Sequence, residues 1–163
     1  MKSKEKILVH KGIDNVKRNR LEDAVELFDR VLEMNPENAD AWNNKGVALY
    51  KMGKPEEAVE CYDRALKSDS ENLESLRNKG FVLRTVGRFE EALETYDRLI
   101  ATPEPDLVDI KNRAVTLVGA GHLEEALEIL VEIARVKPSI QIEQEIEILR
   151  KTLLDAAIKR GEI

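Results

Sequence analysis

One set of residue types recurs every 34 positions along this chain, and that spacing constrains the fold more than any other feature. Gly12, Gly46, Gly80 and Ala114 hold one phase, Ala24, Ala58, Ala92 and Ala126 a second, and Phe28, Tyr62, Tyr96 and Leu130 a third. Chance does not keep three registers through four copies. Self-similarity at a period of this length belongs to repeat arrays, in which each copy is a small unit that buries its apolar face against its neighbours. A chain of 163 residues suffices for one ordinary domain or a short array, and the period selects the array. Disorder is excluded, because the 42% apolar content arrives in periodic order.

With Glu5, Ala39, Leu73 and Leu107 as first residues, the units span about 5–38, 39–72, 73–106 and 107–140. Each reads as a helix A and a helix B joined by a tight turn. In the second unit helix A runs from about Asn38 to Met52, with Trp42, Gly46 and Leu49 on one stripe at helical spacing. Gly53, Gly87 and Gly121 recur just past helix A, with Asn19 in the first unit, because these residues accept the left-handed conformation of a helix end. Helix B starts near Pro55. Its first turn carries an acidic pair in every unit (Glu22 and Asp23, Glu56 and Glu57, Glu90 and Glu91, Glu124 and Glu125), where carboxylates meet the positive end of the helix dipole. Adjacent helix residues point in different directions, so these pairs are not catalytic dyads. The phased alanines are expected to face the glycine or alanine of helix A, with Phe28, Tyr62, Tyr96 and Leu130 packed beside Leu32, Leu66 and Ile100. Exposed pairs four apart, Glu26 with Arg30, Glu60 with Arg64 and Glu94 with Arg98, are expected to brace helix B from outside. The fourth unit replaces this pattern with Glu128 and Glu132.

These residues resemble the tetratricopeptide repeat (TPR) family, whose 34-residue unit carries W-x2-L-G-x2-Y, then A-x3-F, then P. The second unit supplies Trp42, Gly46, Leu49, Ala58 and Tyr62; the first supplies Ala24, Phe28 and Pro36. The resemblance implies an all-α fold, a right-handed α-solenoid of four TPR helix-turn-helix units plus a C-terminal capping helix, as a single TPR domain over residues 1–163. It departs from the family at the position before the glycine, where Lys11, Lys45, Lys79 and Arg113 stand in place of leucine. Asp29, Asp63 and Asp97 recur beside the aromatic of helix B, so a Lys–Asp ladder between adjacent units is expected, with Lys45–Asp63 as the pair named for it and a partner in the next unit as the alternative. Pro103 and Pro105 re-shape the loop before the fourth unit without lengthening it, and Asp106 is a candidate N-cap. After Pro138 one helix over about 140–160 caps the array, with Ile142, Ile146, Leu149, Leu153 and Ala157 inward and Ile148, Leu154 and Ile158 on other faces.

In TPR proteins the A helices line a concave groove that holds extended peptides or short helices. The matching positions here are Val9, His10 and Ile13 with Val16; Asn43, Asn44, Val47 and Tyr50; Arg77, Asn78, Phe81 and Arg84; and Lys111, Asn112, Val115 and Val118. Asn44, Asn78 and Asn112 form an amide column suited to a peptide backbone, and Ile13, Val47, Phe81 and Val115 an apolar column suited to an anchor. Arg77, Arg84 and Lys111 stand ready for acidic groups; packing between neighbouring A helices is the competing role for both columns. The carboxylate clamp by which some TPR domains hold chaperone tails is matched here by Asn44 alone, since Val9, Ile13, Glu74 and Asn78 occupy its other positions.

A net charge of -6 offers no broad basic field for nucleic acid or an acidic membrane, and no apolar stretch has signal-peptide or membrane-span length, so a cytoplasmic location is expected. The single cysteine, Cys61, reads as a packing residue. His10 and His122 have no partners in sequence for a catalytic triad, no Cys/His cluster offers metal ligands, and Gly119-Ala120-Gly121 lacks the preceding strand of a nucleotide loop. The sequence therefore predicts no enzyme, no cofactor and no metal, but a scaffold whose groove binds a peptide or helix of an unidentified partner protein. The alternative is a structural or oligomer-forming protein that associates through its C-terminal helix.

Overall fold

Asn19, Gly53, Gly87 and Gly121 share one phase of the repeat, and all four have positive φ, at 58°, 78°, 79° and 85°. Three of these turns close in the same way: the N–H of Arg20, Lys54 and His122 donates to the carbonyl of Asn15, Leu49 and Leu117, at 2.9, 3.0 and 2.9 Å. Such a bond satisfies a carbonyl that the end of helix A would otherwise leave open. In the computed structural model, which describes residues 3–102 and 105–162 and all their side chains except that of Ser3, these turns separate nine α-helices among the described residues. They are α1 (Ser3–Lys17), α2 (Leu21–Met34), α3 (Ala39–Lys51), α4 (Pro55–Ser68), α5 (Leu73–Thr85), α6 (Phe89–Ile100), α7 (Leu107–Ala120), α8 (Leu123–Val136) and α9 (Ile140–Arg160). Pro103 lies outside the described residues.

The A helices begin on polar caps. Asn38 Oδ1 accepts from the N–H of Ala41 and Asn72 Oδ1 from that of Ser75, each at 2.9 Å; Asp106 Oδ1 accepts from Val108 N–H at 2.8 Å, as its position predicts. Ser139 caps α9 through its Oγ. Every B helix carries its acidic pair in the first turn.

The chain divides into two compact units, Met1–Val86 and Gly87–Ile163. In the first, α1 to α5 pack in chain order, and the A helices α1, α3 and α5 also touch one another in sequence. A cluster of Leu8, Val9, Ala24, Phe28, Val31 and Leu32 reaches into α3 at Ala41 and Ala48. In the second, α6 to α9 pack in order around Ala114, Leu117, Ala126, Leu130 and Ile133, with Ile142, Ile146 and Leu149 of α9 closing the cluster. Leu153 and Ala157, expected inward, are half-buried.

Ala24, Ala58, Ala92 and Ala126 are fully buried, and Gly12 and Gly46 each lie directly against a ring. A Cβ on Gly12 would stand 2.5 Å from Phe28 Cε1, and one on Gly46 2.6 Å from Tyr62 Cε1. Glycine is thus required by the aromatic four residues after the alanine, and Ala114 is tolerated where the phase carries Leu130 instead of a ring. The outer bracing differs from expectation: among the ion pairs of the described residues, neither Glu26–Arg30 nor Glu60–Arg64 closes, whereas Lys54–Glu57 and Arg88–Glu91 do at i,i+3. Surface pairs of either kind contribute little to stability.

Candidate functional site

The Lys–Asp ladder exists, with a register that the sequence alone left open. Lys45 Nζ meets Asp29 Oδ1 at 2.5 Å and Lys79 Nζ meets Asp63 Oδ1 at 2.6 Å, each joining helix A of one copy to helix B of the copy before it. Lys45 therefore pairs with Asp29, not Asp63. Arg113 repeats the arrangement on Asp97 at 2.6 Å and adds Glu125 at 2.8 Å through Nη1. Partial burial works against the Arg113 charge, and the hydrogen bonds to these two carboxylates overcome it and raise its pKa. Val131 ends the ladder. A second device, not read from the sequence, ties α1 to the chain that leads into α3: buried Glu5 accepts from Asn35 Nδ2 at 3.1 Å and from Nδ2 of Asn38, the N-cap of α3, at 3.3 Å through Oε2. The only sequence signal for it was an acidic residue at a unit's first position.

On the A-helix face of the first unit, two of the residues expected to line a groove belong to the core. Val9 is 4% exposed and Asn43 2%. Asn43 Oδ1 accepts from Asn78 Nδ2 at 3.0 Å, so these amides join α3 to α5. Asn44 Nδ2 donates to Asp40 O at 2.8 Å within its own helix, and His10 Nδ1 lies 2.9 Å from Lys6 O. The amide column is therefore largely engaged internally. Ile13 and Val16 pack half-buried against the first core cluster.

The apolar column is different. Phe81 is 43% exposed, and its ring stands edge-on to Tyr50 with centroids 5.7 Å apart and planes at 84°. The Arg84 guanidinium lies 5.6 Å from the Phe81 centroid, and its buried Nε has no hydrogen-bond partner. Val47 is half-buried in the same phase, and Arg77 is exposed beside it. An aromatic pair with a cation over one ring can hold an apolar side chain and an acidic group together. In the second unit Val115 and Asn112 are half-buried and Val118 is exposed, but Lys111 is bridged to Glu145 of α9 at 3.1 Å and so is not set for a ligand.

Burial pushes the Cys61 thiol up to about 11, and burial likewise raises the Tyr62 hydroxyl. Among the described residues no group of three or more His, Cys, Asp or Glu side chains is placed to hold a metal, and no helix is long and apolar enough to cross a membrane.

Residues 39–72 match the family model described as Tetratricopeptide repeat, and residues 15–53 match one described as TPR repeat. Solved structures agree over much more of the chain. MamA 41-end from Desulfovibrio magneticus RS-1 superposes with a TM-score of 0.82 at 20% identity, covering 99% of this chain and 93% of that one. A crystal structure of MamA gives 0.78 at 20% identity over 91% and 88%, and Pseudomonas aeruginosa pilF gives 0.76 at 24% identity over 96% and 72%. Comparison with curated protein sequences finds no match. Residues 15–72 thus carry tetratricopeptide repeats, and the chain as a whole has the all-α solenoid fold of TPR proteins, the fold of a protein–protein interaction scaffold.

Proposed function

We propose that this protein holds a partner protein on the face formed by its A helices, with Phe81 and Tyr50 as the apolar anchor and Arg84 and Arg77 meeting acidic groups of an extended peptide or short helix. The observation that carries the reading is the exposed, edge-on Phe81 in a chain with an aromatic content of only 4%. A ring left 43% open to water, braced by a second ring and a guanidinium, has the composition of a binding hot spot. Four repeat units with a capping helix, no catalytic step and a cytoplasmic setting complete the proposal. Affinity capture from extract of the native cells, comparing wild type with Phe81→Glu at equal thermal stability, tests it. Proteins retained by the wild type and lost with the variant are the expected result; identical captures from both overturn the anchor.

A second reading is favoured by a specific observation on α9. Ile148, Leu154 and Ile158 are 65%, 51% and 55% exposed, more apolar surface than a solvating cap requires. In this reading the protein self-associates through its C-terminal helix. A monomeric mass by light scattering at high concentration overturns it.

A further inference from the structure

Two surfaces of the second unit are complementary to each other. A cleft of about 410 Å³ opens between α7 and α8, with Leu107, Ile110, Ile129, Ile133 and Val136 as its lining and Glu128 and Glu132 at its rim. A cleft between α3 and α4 that overlaps this one in phase measures about 220 Å³ and is lined by Trp42, Cys61 and Arg64 among others. At those three phases the fourth copy carries Ile110, Ile129 and Glu132. Isoleucine in place of the indole and of the thiol makes these two phases aliphatic, and glutamate in place of arginine adds a carboxylate to the rim. Arg135 holds Glu132 by a salt bridge, while Glu128 has no ion-pair partner among the described residues.

The outer side of α9 has the opposite character. Lys151, Leu154 and Ile158 fall three and four residues apart and so share one face, and Ile148 lies one turn before Lys151 on its flank. Lys151 makes no ion pair among the described residues. A row of bulky aliphatics with a free cation among them matches an aliphatic cleft with a free carboxylate on its rim.

The geometry points to a second copy of this chain as the occupant of the cleft: α9 of one molecule docks between α7 and α8 of another. Leu154, Ile158 and Ile148 enter the space that the indole fills in the second copy, and Lys151 meets Glu128. This rests on the self-association reading of α9 and adds the surface that receives it. Reciprocal docking of two molecules closes a dimer, whereas head-to-tail docking extends the assembly; both use the same contact.

Sedimentation velocity of the full chain over a range of concentrations, with circular dichroism melts to verify folding, tests the proposal. The wild type is expected to exceed the monomer mass and to weaken with added salt. Lys151→Glu and Glu128→Lys place like charges in the contact, and each is expected to weaken association at least about tenfold. The double variant Lys151→Glu/Glu128→Lys, and an equimolar mixture of the two single variants, are expected to associate again, because each restores opposite charges across every contact. A wild type monomeric throughout overturns the docking and the self-association reading together. Association abolished by Leu154→Glu but indifferent to Glu128→Lys overturns the cleft while leaving that reading in place.

Discussion

Where the second copy presents an indole, a thiol and a guanidinium at the cleft between its helices, the fourth presents two isoleucines and a carboxylate. The backbone scaffold is the same: an A helix ended by a left-handed glycine, a B helix with its acidic first turn, a buried alanine and a large residue four positions later. The Trp42 indole N–H donates to Pro36 O at 2.7 Å and Lys45 Nζ lies 5.6 Å from its ring, so the second copy lines its cleft with a side chain that is itself held. The fourth copy carries isoleucine there. A repeat can thus conserve the contacts that make it fold while varying the ones that decide what it touches.

The most destructive test of that division removes a shared contact. Tyr62→Ala empties a fully buried ring site opposite Gly46 and is expected to cost about 3–5 kcal/mol by urea unfolding. Gly46→Ala drives a methyl into the same ring from the other side and Ala58→Leu overfills a site with no free surface; each is expected to cost roughly 1–3 kcal/mol, and a wild-type melting temperature in either would remove the assignment.

Exchanging the cleft residues comes next. Trp42→Ile opens the second cleft and abandons the bond to Pro36, with an expected loss of about 1–2 kcal/mol, while Ile110→Trp is expected to change thermal stability by less than about 1 kcal/mol. If both exchanges cost the same, the two clefts are equivalent and the contrast drawn between them fails. A further effect appears at high pH. The buried Cys61 thiol keeps its proton until about 11, while the unfolded chain releases it near its ordinary value of 9.0. Protons are therefore lost on unfolding between those values, so stability is intact below about pH 9 and declines as pH rises towards 11. Urea midpoints for wild type and Cys61→Ala on either side of that window should show the smaller decline in the variant. Smallest of all is the ladder: a double-mutant cycle on Lys45 and Asp29 is expected to give a coupling of about 0.2–1 kcal/mol, since Asp29 is half exposed, and one on Lys45 and Asp63 to give none.

Much of this was legible in the chain. Helix ends read well because caps and left-handed residues act locally, and Asn38, Pro55, Asp106 and the positive-φ phase fall where local chemistry puts them. Partners across the fold were harder to read. The ring that lies against Gly12 and Gly46 was not foreseen, because the helical stripe tells which residues face inward but not which of two facing layers they meet. Lys45 had an aspartate of the same phase on either side, and spacing cannot choose between identical copies. Val9 and Asn43 were placed on a ligand face and are buried, since the boundary between a helix's core stripe and its open face shifts by one residue with the angle of its neighbours. Lys111 was assigned to a ligand and is taken by Glu145, a residue of the cap that the repeat pattern does not describe.

By itself the sequence determined the period, the helix boundaries and the buried phases, because capping, φ preference and amphipathic spacing depend on residues within one or two turns. Tertiary structure decided which copy each ladder cation joins, that glycine makes room for a ring, and that a held indole lines the second cleft while the fourth is lined by isoleucines. Those outcomes depend on the distance between side chains of different helices, and that distance exists only once the helices have packed.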